Sequence, residues 1–310
     1  MRSSRRGLPL STGECALTDR PFRFGVRFGA NLSSSGSVSW LQDQARKAED
    51  LGYDVILLPD HLTTPAPFPT VAALAAVTTE PRLGTFVLNA AFYNPALLAR
   101  EVSSTDLLIE GRLELGLGAG WARKEFDEAG LPFPTAGQRI AHLERTITEI
   151  RRRFAAGDPP TRQQPAPPIL VGGSGDRLLA VAAIHADIIS LASVPTTGRP
   201  VTTDAVERAL GERTAYIRAA AGRRIQELEL GLTLGAVYVD GTGEFDLTLP
   251  RMAAPDLADD ELLALPGVLH GSPGSIAETL QRYREMYHLT HFVVPATSMA
   301  GFAEVFNRIR

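Results

Sequence analysis

Asp60-His61 follows directly on an apolar run, Asp54-Val-Ile-Leu-Leu-Pro59. Histidine titrates near pH 6.5 and gives or takes a proton at working pH, and a neighbouring carboxylate can fix its tautomer. The pair is a candidate for proton exchange with a bound reactant. The plainer alternative has Asp60 capping a turn before Pro65 while His61 packs. Two glycine-rich stretches have a different chemistry. Gly116-Leu-Gly-Ala-Gly-Trp121 removes side chains where a planar ligand or a phosphate could approach the backbone, with Trp121 either stacking on a ring or covering the barrel mouth; a tight turn explains the run equally well. It is not the dinucleotide fingerprint, whose sixth position is glycine rather than Trp121. Val171-Gly-Gly-Ser-Gly175 joins an apolar run to a helical one, so its N–H groups, the helix dipole and the Ser174 hydroxyl form an anion cradle. The alternative there is a glycine turn with Ser174 or Asp176 as N-cap. Gly271-Ser-Pro-Gly-Ser275 reads as a capped helix start. His142, His185 and His288 lie in helical stretches, no His/Asp/Glu spacing resembles a metal site, and neither a nucleophile elbow nor a phosphate-binding P-loop occurs.

These residues need elements to hold them. Short apolar runs at Phe22–Phe28, Asp54–Pro59, Arg82–Leu88, Gly111–Gly118, Pro168–Val171, Asp187–Leu191, Leu228–Val239 and His291–Pro295 alternate with helical stretches. The helices are expected over Val38–Leu51, Val71–Thr79, Pro95–Leu108, Gln138–Phe154, Asp176–Ala186, Asp204–Ala221, Ile276–Tyr287 and Phe302–Ile309. Eight β-then-α units imply a parallel sheet, and a closed (β/α)8 TIM barrel suits their number better than an open doubly wound sheet. The chemistry-bearing residues then fall at the C-terminal ends of strands, where barrel enzymes build active sites. Residues 21–310 form the barrel domain and residues 1–20 are expected to be a disordered lead-in. Long connections follow the fourth strand (Gly120–Gly137) and the seventh (Asp240–Gly274); the apolar and acidic residues of Pro250–Pro266 point to a mostly uncharged substrate.

Composition narrows the class. A formal charge of -4 argues against a nucleic-acid surface, which needs a clustered basic face. The longest basic run, Arg151–Arg153, ends a helical stretch, where cations suit the dipole. No apolar run has the roughly 18 residues of a membrane span. Cys15 is the only cysteine, so no intrachain disulfide can form, and a cytoplasmic protein is expected.

Together the motifs resemble the luciferase-like monooxygenase superfamily, in particular its oxidoreductases that use the deazaflavin coenzyme F420. The resemblance runs over most of residues 21–310. It is carried by Ala48–His61, Leu83-Gly-Thr-Phe-Val-Leu88, Phe92-Tyr-Asn-Pro-Ala-Leu-Leu-Ala99, Gly111–Gly120 and Val171-Gly-Gly-Ser174, in that order. It implies a single bacterial-luciferase-like barrel, often a homodimer, with the cofactor in its C-terminal mouth. Asp60 and His61 would lie beside the deazaflavin ring, and Phe86, Val87 and Asn89 on the third strand would complete its wall. Gly118, Ala119, Gly120 and Trp121 would line the cofactor side chain, and Gly172, Gly173, Ser174 and Gly175 would hold its phosphate. The resemblance also implies a non-proline cis peptide at Phe86–Val87. Sugar-phosphate dehydrogenases of this group carry a glutamate where this chain has Trp121, with Glu125 one helical turn later.

The expected activity is hydride transfer between the deazaflavin and a small organic substrate, with His61 exchanging the proton and Asp60 fixing its tautomer. Two alternatives stay open: an FMN-dependent monooxygenase supplied by a separate reductase, and a flavin-binding barrel without turnover.

Overall fold

An uninterrupted run such as Val55-Ile-Leu-Leu58 is satisfied only between two apolar layers, and that is where it lies. The computed structural model describes residues 20–29, 37–192, 201–242 and 245–310. The expected lead-in therefore falls outside the described residues apart from Arg20. Eight parallel strand positions close into a barrel ringed by helices. They are β1 (Arg23–Arg27), β2 (Val55–Leu58), the pair β3 (Arg82–Thr85) and β4 (Leu88–Asn89), β5 (Leu113–Gly118), β6 (Ile169–Gly172), β7 (Ile188–Leu191), β8 (Glu229–Thr233) and, last in the chain, β11 (Leu289–Pro295). Closure comes from β5, which pairs with β3 at Leu83↔Leu113 and with β4 at Leu88↔Leu117. The first and last strands pair through Arg23↔His291 to Arg27↔Pro295.

Alternation along the strands splits two interiors. Outward residues such as Phe24 meet the helices: its ring stacks on Phe306 at 4.5 Å and edges onto Phe302. Inward residues fill the barrel. Val55, Leu57 and Val293 form a small apolar plug with Phe86 against it, separate from the main core. Below the plug, at the strand starts, lies a charged layer. Glu114 is buried and bridges Arg23 and Arg82, and Arg23 also pairs with Glu229. Burial alone would raise the Glu114 carboxyl, but the two guanidinium groups overcome this and hold it below its usual range. His291 shares this layer, fully buried, with neither ring nitrogen hydrogen-bonded. Gly25 and Gly231 leave room for it: a Cβ at Gly25 would stand 3.3 Å from its Nε2, and one at Gly231 3.0 Å from its own Cβ.

Local signals set the helix starts. Asn94 caps α3 (Pro95–Leu108), accepting from the amides of Ala96 and Leu97, with Pro95 in the first turn. Thr135 and Gln138 form a capping box on α5 (Ala136–Ala155). Ser272 caps α10 (Pro273–Tyr287), as expected of Gly271–Ser275. The remaining long helices are α1 (Val38–Asp50), α2 (Pro67–Ala75), α6 (Asp176–His185), α7 (Thr203–Ala221) and α11 (Met299–Ile309).

Four expectations need correction. The third strand does not run unbroken from Arg82 to Leu88; a cis Phe86–Val87 peptide divides it. The seventh does not run to Val239: the chain leaves the barrel after Thr233, and β9 (Ala236–Val239) pairs in parallel with β10 (Val268–Gly271), a strand inside the supposed loop. Short helices α4 (Arg123–Glu128), α8 (Thr248–Ala253) and α9 (Asp259–Leu263) also occupy the long connections. His288 is not helical but the left-handed residue (φ 57°) that ends α10.

Candidate active site

The residues singled out in the sequence gather at the C-terminal mouth in two groups. On one side, the segment after β2 carries Asp60 and His61. His61 Nδ1 lies 2.7 Å from Glu125 Oε1, which α4 brings across from the β5 side. Trp121, on the connection between β5 and α4, stands edge-on to the His61 ring at 6.5 Å and is 74% exposed. This corrects the assignment of the tautomer: Glu125, not Asp60, is the partner that fixes the His61 ring. Buried Phe126 anchors α4 and so fixes the helix that carries Glu125.

Asp60 has another task. Its Oδ2 accepts from the backbone N–H of Asn89 at 3.0 Å, and the Tyr93 hydroxyl donates to the same carboxylate. Burial pushes its pKa up, against the pull of these donors and of His61. Burial and the adjacent Asp60 charge also push the Tyr93 phenol up. Asp60 thus pins the short strand β4 and the turn after it. Asn89 caps that turn in its own right, accepting from Ala91 N.

Several of these glycines make room for a protein side chain. A Cβ on Gly118 would lie 2.6 Å from Val87 Cγ2, and one on Gly172 would lie 3.3 Å from Val87 Cγ1. Val87 projects from the cis junction into the space these two glycines leave empty. Gly120 (φ 73°) passes against the Asn89 side-chain amide, where a Cβ would meet Oδ1 at 2.3 Å. Ala119 is partly buried beside them. Phe86 faces the interior plug, its amide bonded to Leu58 O at 2.6 Å.

On the far side, β6 runs into α6 through Gly172–Gly175. Gly173 N–H is bonded to Ser190 O, so it serves the sheet. Gly175 is the N-cap of α6, so the alternative of a cap by Ser174 or Asp176 does not describe this turn; Asp176 pairs with Arg213. Gly175 offers no side chain to the first-turn amides of this ten-residue helix, and a Cβ there would meet nothing within 4 Å. An open glycine helix start is what a phosphate group needs.

Two further side chains at this rim escaped the sequence reading. Tyr93 holds Asp60. Arg27, the last residue of β1, shares the inward face of Arg23 and Gly25. The Arg-x-Gly-x-Arg alternation was the available signal. Among the described residues no group of three His, Cys, Asp or Glu could hold a metal, and no helix is long and apolar enough to cross a membrane. A cavity of about 840 Å³ opens at the opposite mouth among Arg20, Phe22, Arg23, Glu229 and Arg310, beside strand starts, the face of a barrel tied to stability.

The luciferase-like monooxygenase family model matches residues 23–289. The chain is 26% identical to an F420-dependent glucose-6-phosphate dehydrogenase of Intrasporangium calvum, covering 86% of this chain and 92% of the relative. The coenzyme F420-dependent tetrahydromethanopterin reductase of Methanopyrus kandleri superposes with a TM-score of 0.70 at 16% identity, covering 94% of this chain and all of that one. A long-chain alkane monooxygenase superposes with a TM-score of 0.72 at 12% identity, over 93% and 92% of the two chains. At such identities the solved structures speak for the fold alone, whereas the family model spans most of the barrel. The chain belongs to the luciferase-like monooxygenase family.

Proposed function

We propose that the protein is a coenzyme F420-dependent oxidoreductase acting on a small organic substrate. The observation that carries this reading is the joint presence, on opposite sides of one mouth, of the His61–Glu125 pair and the open glycine start of α6. Relatives that include F420-dependent dehydrogenases support the choice of deazaflavin. Gly173, Ser174, Gly175 and the first turn of α6 would hold the cofactor's phosphate; Val87 and Asn89 would back its ring, with Trp121 over the rim. When bound, the cofactor supplies hydride transfer.

The chain's own residues handle the accompanying proton. Glu125 engages His61 Nδ1 and so leaves Nε2 as the atom that gives or takes it. Asp60, held by Asn89 N–H and Tyr93, keeps β4 and its turn in place beneath that ring. Trp121 and Phe92, the latter packed on Phe126, limit the access of water from the side of α4.

Titration with F420 and, separately, FMN, followed by fluorescence, tests the reading. Binding of the deazaflavin in preference to FMN is expected. Preference for FMN moves the protein to oxygen-dependent chemistry, and binding of neither removes the proposal.

A further inference from the structure

Arg27 ends β1 on the face that points into the barrel. The direction is fixed by its strand-mates: Arg23 reaches Glu114 on β5 and Glu229 on β8, and Gly25 faces His291 and Val55. Two residues on, along a period of two, Arg27 stands at the C-terminal mouth, level with Leu57 and Pro295 on the adjacent strands. Arg23 has two carboxylates; among the described residues Arg27 has no ion pair, hydrogen bond or stacked ring. Burial lowers its pKa with no carboxylate to offset the effect.

A shielded guanidinium without a counterion is costly, and a protein that keeps one has a use for it. The fully buried plug of Val55, Leu57 and Val293 lies beneath with the partly exposed Phe86 against it, leaving Phe86 as the apolar wall open to the mouth. Its planar fork matches a carboxylate with two parallel hydrogen bonds. We infer that Arg27 is a specificity-determining residue that binds the carboxylate of an organic acid substrate whose apolar body rests against this wall. The inference deepens the F420-oxidoreductase reading and replaces the mostly uncharged substrate expected from residues 250–266.

The test uses benzoate, its neutral isostere benzamide and inorganic phosphate as probes. Each is titrated calorimetrically into the protein at constant ionic strength, with and without saturating F420. Wild type should bind benzoate at least about tenfold more tightly than benzamide, as a charge-assisted bidentate contact implies. Arg27→Gln should abolish the preference and Arg27→Lys should retain part of it. The Tm of Arg27→Gln should equal or exceed that of wild type, because the substitution removes an unpaired charge; a clear fall would make Arg27 structural and overturn the inference. Equal binding of benzoate and benzamide by wild type would also overturn it. So would an Arg27-dependent preference for phosphate, or loss of F420 affinity in Arg27→Gln with benzoate discrimination intact. If wild type fails to bind F420 but still selects benzoate through Arg27, the cofactor reading falls and the carboxylate site stands.

Discussion

At the scale of single residues, the mouth is organised by partners that sit far apart in sequence. His61 and Glu125 are separated by 64 positions yet are 2.7 Å apart. On the proposed reading, in which the ring handles a proton, His61→Ala should slow turnover by about 10²- to 10⁴-fold with the F420 dissociation constant changed little. Steady-state rates alongside a binding titration decide it; an unchanged rate would remove His61 from the reaction. Gly118 makes a second prediction of a different kind. A methyl there would drive into Val87 Cγ2 at 2.6 Å, so Gly118→Ala should displace Val87 and destabilise the protein by roughly 1–3 kcal/mol, as overpacking does. Weakened cofactor binding should accompany the lower denaturation midpoint, and wild-type values for both would show that Val87 has somewhere else to go.

At the scale of elements, the strands and helices that carry a local signature were legible in the sequence. The apolar run of β2, the Asn94-Pro95 start of α3 and the Thr135–Gln138 capping box state their conformations in adjacent residues. Thr135→Ala should therefore cost about 1 kcal/mol, seen as a Tm lower by about 2 °C. What could not be read depends on distant partners. Leu228–Val239 is mostly apolar, and nothing in it says that β9 will turn from the barrel to pair with β10, whose own residues follow a long stretch of mixed character. The same limit applied to the site. Asp60 and His61 stand next to each other, which suggested that they pair; only the placement of α4 and of Tyr93 shows that each is held by another element. Gly118 and Gly172 stand at strand ends that the sequence marks, but the side chain they make room for, Val87, comes from a different strand.

At the scale of the whole molecule, the charged layer at the strand starts makes stability depend on pH. Burial, reinforced by nearby Arg23, pushes the His291 imidazole down to about 3. The unfolded chain takes up this proton near pH 6.5 while the folded chain refuses it until about pH 3, so stability is lost as pH falls across that window. Glu114, held below its usual range, acts in the same direction as pH falls through its lowered pKa. His291→Leu should flatten the acid limb of a stability-versus-pH curve by roughly 2–4 kcal/mol, measured by denaturant unfolding between pH 7 and pH 4. An unaltered slope would mean that the buried imidazole charges freely in the folded state. Glu114→Gln should cost about 3–5 kcal/mol at neutral pH, since it strips Arg23 and Arg82 of a shared buried counterion. This layer, with the plug of Val55, Leu57, Val293 and Phe86 above it, also stoppers the barrel from below. A stoppered vessel has one doorway. On the proposed reading, cofactor and substrate share that doorway, and a molecule lodged deeper should leave later, which product-inhibition patterns would reveal.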